Sequence, residues 1–217
     1  MRGLSARCSA PRILFADPHL IVAEKPAGLL SVPGRGADKQ DCVSARVQRQ
    51  YPEALVVHRL DMATSGLLLM ARGAQMQRQM SLAFSGREVD KRYIAVVAGL
   101  VMDDEGTVDL PLIADWPNRP KQIVEHSVGK PSRTRWRVLA RDIATNTTRV
   151  ELEPVTGRTH QLRVHMMAIG HPIAGDALYA PLAVQELAPR LMLHASRLEF
   201  AHPATAERMR FDSRAPF

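Results

Sequence analysis

Apolar and polar residues alternate over Arg149–Pro154, with Val150, Leu152 and Pro154 on one side and Arg149, Glu151 and Glu153 on the other. A period of two is the mark of a strand with one buried face. Leu67-Leu68-Leu69-Met70 does not alternate and reads as a buried strand. Residues 13–24 read as two short strands around Asp17-Pro18, the second broken by Lys25-Pro26-Ala27-Gly28. Leu55-Val56-Val57, Tyr93–Ala98, 134–141, 147–153 and about 191–200 read as further strands.

Helical spacing appears three times. Asp41 can cap a helix carrying Val43, Val47 and Tyr51, with Pro52 as its stop. Met76, Met80 and Phe84 share one face of a helix over about 74–86, as core rather than as a ligand box. Thr159 to Ile169 reads as a helix that Gly170 ends. Two stretches break the patterns. Gly34–Gln40 reads as a partly basic loop, and 103–132, with Pro111, Pro117, Pro120 and Pro131, reads as irregular.

With no repeat and no long linker, the expected architecture is one α+β domain over 13–217. Its sheet is mixed and mostly antiparallel, flanked by helices and loops, and a flexible segment, 1–12, precedes it. Charge then narrows the partner. The 217 residues carry 29 Lys and Arg against 22 Asp and Glu, an excess that points to a polyanion, nucleic acid first. Cys8 and Cys42 make neither a disulfide framework nor a zinc site, which points to a reducing compartment, the cytoplasm. No apolar run reaches transmembrane length, so no membrane partner is expected.

The candidate chemistry centres on His58-Arg59-Leu60-Asp61-Met62-Ala63-Thr64-Ser65-Gly66, a polar loop that opens into the buried strand. Asp61 is one reactive carboxylate, with no second carboxylate in the same motif. Hydrolysis of a glycosidic bond usually needs two. In Thr156–His165, Arg163 is either part of a solvated basic face or reaches inward as the charge partner of a catalytic carboxylate. His160 and His165 lie five apart, about 140° around a helix, so they do not chelate as a His-x-x-x-His pair would, and no metal site is expected. Tyr93 and Trp116, each beside basic residues, are packing residues that can also stack on a base.

Five segments in this order resemble the RluA-type family of pseudouridine synthases: Glu24–Gly34, His58–Gly66, Lys91–Gly99, Gly157–His165 and Gly170–Asp176. The resemblance covers roughly residues 13–211 and departs at Glu24, where the family often carries Asn. It implies an RNA-modifying isomerase without cofactor. Asp61 matches the essential aspartate, and Tyr93 the tyrosine that stacks on the target base and serves in proton removal at C5. Arg163 matches the arginine that pairs with the aspartate, and Arg59 the arginine that fills the space of the flipped nucleotide. Lys25, Arg158, Arg119 and Lys121 complete the expected substrate-binding set. Arg35 and the 111–122 segment are expected to touch the RNA stem-loop.

Asp109–Gln122 and the short length, with no room for an S4-type domain, resemble the dual-specificity branch of that family. This implies a monomer acting on the tRNA anticodon loop and on a 23S rRNA hairpin loop. Isomerisation breaks N1–C1′ and rejoins the uracil through C5, so nothing leaves. One carboxylate suffices, by attack at C1′, by attack at C6, or by removal of a 2′ proton to give a glycal. The residues do not separate these routes, and the resemblance favours the glycal. The competing readings are a different RNA target and a non-catalytic RNA-binding protein.

Overall fold

The computed structural model describes residues 11–217, so most of the expected flexible segment, residues 1–10, lies outside the described residues. Arg12 already begins a strand, one residue ahead of the expected boundary. That strand, β1 (Arg12–Ala16), pairs antiparallel with β2 (Leu20–Lys25). Asp17 makes the turn by accepting the N–H groups of His19 and Leu20, both at 2.7 Å.

The first helix, α1 (Val43–Gln48), is capped by Cys42 rather than Asp41: its sulfur accepts the Ala45 N–H at 3.4 Å. Asp41 turns outward to Arg46, at 2.6 Å. The helix ends before Tyr51, whose ring still packs on the same core. A short strand, β3 (Ala54–Val56), then pairs with β4 (Ser65–Arg72). On β4, all but the last residue are buried, because the strand is covered on both faces. Leu68 and Met70 pack toward α1, while Leu67 and Leu69 pack toward Met80 of α2 (Ala74–Gly86).

Downstream lie β5 (Asp90–Ala98), β9 (Arg133–Asp142), β10 (Thr147–Pro154), α3 (Gln161–Ala168) and β11 (Leu193–Ala201). The main sheet runs β1-β2-β4-β11-β5-β10-β9 and ends on β6 (Glu105–Asp109). The pairing of β11 with β4 is parallel and the others are antiparallel, so the sheet is mixed and mostly antiparallel as expected. Strand β11, late in the chain, inserts between β4 and β5. It sets Gly66, Ala195, Tyr93 and Leu152 side by side in one row across four strands. At Gly66 a Cβ would sit 2.3 Å from the Ala195 carbonyl oxygen, and φ is +115°, so this crossing requires glycine. Tyr93 lies where the α1-side core meets the core built around Leu162 and Met166 of α3.

The expectation of irregular chain over 103–132 is corrected. It holds β6 and a separate hairpin of β7 (Leu112–Ala114) and β8 (Gln122–Val124). The 115–121 turn between them closes with the Asp115 N–H on the Lys121 carbonyl at 3.0 Å. Also unforeseen were α4 (Leu182–Gln185) and the edge strand β12 (Arg208–Asp212), which pairs with β11. These elements are three to five residues long, too short for periodicity to register.

Candidate active site

The loop that carries Asp61 is fastened from below. Ser31 Oγ donates to the Leu60 carbonyl at 2.7 Å and accepts the Leu60 N–H at 3.1 Å. Lys25 Nζ donates to the carbonyls of Pro26 and Met62, both at 2.9 Å, and the Gly28 N–H donates to Met62 O at 2.8 Å. Lys25, expected to bind substrate, is fully buried beneath the Asp61 loop, which it supports as a strut, and it does not line the cleft. A buried ammonium needs such partners to remain charged.

The carboxylate of Asp61 faces a cleft of about 840 Å³. Its Oδ2 lies 3.5 Å from Nη1 of Arg163, across 102 residues of sequence. Arg163 is itself buried on α3 and gripped by Asp176, which accepts from Nε at 2.8 Å and from Nη2 at 2.6 Å. Burial works against the guanidinium charge, but the hydrogen bonds and charge of Asp176, with the charge of Asp61, raise its pKa above the ordinary value. Asp176 also accepts the N–H groups of Leu178 and Tyr179. Its loop is tight, because a Cβ on Gly175 would lie 1.9 Å from the Arg190 carbonyl. Two of Arg163's nitrogens are thus fixed, and the third is aimed at Asp61. Of the two readings of Arg163 open at the level of sequence, the inward one is the one the structure adopts.

On the other side, Nε2 of His160 lies 3.8 Å from Asp61 Oδ1. His160 precedes α3 in the left-handed region, φ 52°, and its Nδ1 is 2.7 Å from the Tyr179 hydroxyl. Tyr93 lines the cleft from β5. Burial, with the Asp61 charge behind it, raises the Tyr93 pKa well above that of an ordinary phenol. A phenol so placed keeps its proton at neutral pH, and its ring forms part of the cleft wall. His58 stacks on Phe84, centroids 4.4 Å apart, and accepts the Leu69 N–H on Nε2 at 2.9 Å. Burial, helped by the Lys91 charge, holds the His58 pKa down to about 3, so the imidazole stacked on Phe84 is neutral, and Lys91 Nζ lies over the Phe84 ring at 5.8 Å.

Arg59 and Arg158 are exposed and line the cleft. Arg119 and Lys121 lie on the β7–β8 turn, of which Pro120 reaches the cleft wall. Arg119 lies over the Trp116 ring. His160 and His165 part ways: His165 is buried between Thr134 Oγ1 and the Leu110 carbonyl. Among the described residues no three His, Cys, Asp or Glu side chains are grouped to hold a metal. Nor is any helix there long and apolar enough to cross a membrane. Asp176 and Tyr179 went unassigned in the sequence reading. Asp176 had one signal, its place at the end of the Gly170–Asp176 segment of the family pattern, and Tyr179, three residues beyond, had none.

Residues 19–168 match the family described as RNA pseudouridylate synthase. The dual-specificity RNA pseudouridine synthase RluA of Escherichia coli strain K12 is 52% identical over 205 residues, covering 94% of this chain and 93% of that protein. The protein of the same name from Yersinia pestis is 50% identical, covering 94% of this chain and 99% of its own length. Among solved structures, human RNA pseudouridylate synthase domain containing 1 superposes with a TM-score of 0.79 at 29% identity, over 95% of this chain and 84% of that one. Human RNA pseudouridylate synthase domain containing 4 gives 0.74 at 27%, over 94% and 88%. With a family match across most of the chain and relatives half identical over nearly all of it, this chain belongs to the RNA pseudouridylate synthase family of isomerases.

Proposed function

We propose that this chain isomerises uridine to pseudouridine in stem-loop RNA, at both a tRNA anticodon-loop position and a 23S rRNA hairpin-loop position. It acts as a monomer in the cytoplasm, through one catalytic domain from residue 12 onward. The observation that carries the reading is the Asp61 carboxylate, open to a cleft with an aromatic wall of His58, Phe84 and Tyr93 and a cationic rim of Arg59 and Arg158, and held from behind by Arg163. The relatives' names support the two targets, since both carry the words dual-specificity.

Each residue has a role consistent with its place. Asp61 is the reacting group. Tyr93 stacks on the extruded uracil, keeps it in the cleft while it turns, and serves in proton removal at C5. Arg163 orients Asp61. Arg59, exposed beside it, enters the stack where the uridine was, and Arg158 meets the backbone. Arg119 and Lys121 carry the docking turn to the stem-loop. A loop uridine is the favoured substrate because extruding it breaks no pair. No atom is gained or lost, so the reaction calls for no metal or cofactor. Attack at C1′, attack at C6 and 2′-proton removal all start from the same carboxylate, and the family favours the third.

The test is incubation of the protein with tRNA and 23S hairpin transcripts, without metal or nucleotide, followed by carbodiimide treatment and primer extension. Pseudouridine in both RNAs is the expected result. Conversion of one alone keeps the enzyme and discards dual specificity, whereas binding without conversion of either favours another RNA target or a non-catalytic RNA-binding protein.

A further inference from the structure

Asp61 has two neighbours, and the chemistry proposed above uses only one. Arg163 meets Oδ2, while Oδ1 faces His160. We propose that His160 and Tyr179 are positioning residues: they form a one-way chain of hydrogen-bond donors running from the β7–β8 docking turn to Oδ1 of Asp61, and so couple seating of the RNA to the orientation of the catalytic carboxylate. This rests on the reading of the cleft as a pseudouridine synthase site.

The direction of the chain follows from which atoms can donate. The backbone N–H of Gln122, at the start of β8, has no role but donor, and it meets the Tyr179 oxygen at 2.9 Å. Burial pushes the Tyr179 pKa up to about 12, so the phenol keeps its proton. With its oxygen already accepting, its O–H is free to donate to Nδ1 of His160, 2.7 Å away. Burial lowers the His160 pKa despite the nearby Asp61, so the ring is neutral, and a neutral ring that accepts on Nδ1 carries its proton on Nε2. That N–H faces Asp61 Oδ1 at 3.8 Å, one short closing movement from a hydrogen bond. The opposite tautomer would point the Nε2 lone pair at the carboxylate and leave the phenol proton without an acceptor.

Two further observations fit. His160 holds a left-handed backbone conformation with no side-chain cap bond, a position that glycine or asparagine would take at lower cost. What an imidazole adds there is its reach to both Tyr179 and Asp61. The chain also begins on the segment that faces outward. Trp116 is 68% exposed on the 115–121 turn, six residues before Gln122, and Arg119 stacks upon it. RNA seated on that turn bears on Gln122, and the donors carry the displacement to the carboxylate.

The test uses the full-length protein and a hairpin or tRNA transcript that wild type converts. Single-turnover rate constants at saturating RNA, RNA dissociation constants and urea midpoints are measured for Tyr179→Phe, His160→Gln, His160→Phe and the double Tyr179→Phe/His160→Phe. Tyr179→Phe is expected to slow conversion about tenfold, the worth of one net hydrogen bond, with RNA affinity unchanged within about twofold. His160→Phe is expected to slow it at least as much. His160→Gln, which keeps an N–H near the Nε2 position, is expected to recover most of the rate. The double variant is expected to be no slower than His160→Phe, because the hydroxyl acts only through the imidazole. Wild-type rates in His160→Phe, or losses that multiply in the double variant, would overturn the proposal. If His160→Phe does not fold, the same cycle run with His160→Gln decides. Flat variants on an active wild type defeat this inference alone, whereas a wild type inert on every transcript defeats the enzymatic reading and this inference with it.

Discussion

Asparagine at position 61 would keep the size and polarity of the side chain and remove its charge and basicity. Nothing beneath the loop depends on that carboxylate: Lys25, Ser31 and Gly28 hold backbone atoms, and Arg163 keeps its pair of bonds to Asp176. Asp61→Asn is therefore expected to bind RNA normally, to unfold at the wild-type urea concentration, and to convert uridine about 10³-fold more slowly in single turnover. Near-normal conversion would remove Asp61 from the mechanism. Asp176→Asn is the opposite case. Asp176 and Arg163 are both nearly inaccessible, so breaking their pair leaves a buried guanidinium under-compensated. A loss of about 3 kcal/mol in urea-unfolding free energy is expected, and conversion slows as well because Arg163 loses its aim; unchanged stability would mean that Asp61 alone holds the guanidinium. The difference between these residues explains what was legible. Asp61 and Arg163 stand in motifs dense enough to be singled out. Lys25 stood in one too, but its burial depends on a loop 37 residues away that closes over it. His160 was weighed as a metal ligand because its spacing to His165 is visible in the sequence and its contact with Tyr179 is not.

At the scale of elements, the long ones were legible because burial imprints a period on them, and β4, β5, β10, α2 and α3 fall where the patterns place them. The β7–β8 hairpin was not, since its strands are three residues each and its turn is built from Pro and Asn that read as irregular chain. The insertion of β11 between β4 and β5 is likewise invisible locally, and the residue that ties this crossing to the end of the chain is His194. Its Nδ1 meets Ser65 Oγ on β4 and its Nε2 meets Ser213 Oγ, both at 2.9 Å. Burial holds its pKa down to about 4, against an ordinary 6.5. A histidine that is neutral when folded and protonated when unfolded leaves the unfolded state binding the extra proton. Its contribution is therefore complete above pH 6.5 and declines as pH falls toward 4. Wild type is expected to be more stable than His194→Gln at neutral pH, and this advantage shrinks by about 1.4 kcal/mol per pH unit across that window. Urea unfolding at a series of pH values measures it, and parallel curves for the two proteins would show that His194 does not titrate there.

Over the whole molecule, the positive excess does not cover the surface evenly. On the outer strands the arginines are answered by carboxylates: Arg133 by Asp109, Arg137 by Glu151, Arg135 by Glu153, and Arg208 by Glu199. Around the cleft, Arg59, Arg87, Arg158, Arg119 and Lys121 have no ion pair among the described residues. The two groups of cations therefore do different things, and of the two only the second is available to displace counterions from a phosphate backbone. Salt dependence distinguishes them. Each phosphate neutralised in a single-stranded loop adds about 0.7 to the steepness with which log affinity falls against log salt. The double variant Arg119→Ala/Lys121→Ala is expected to weaken hairpin binding and to flatten that slope by about 1.4, two contacts' worth. Arg135→Ala, which removes a single charge from an answered site on β9, is expected to leave the slope unchanged. Titrations of labelled hairpin between about 50 and 200 mM salt, the range over which such contacts separate, give both numbers. If Arg135→Ala flattened the slope as much per charge as the turn variants, RNA would be responding to net charge alone, and the β7–β8 turn would lose its place as the docking element. If the turn variants alone flattened it, the short hairpin that the sequence left unread would be the part of the fold that meets the stem-loop.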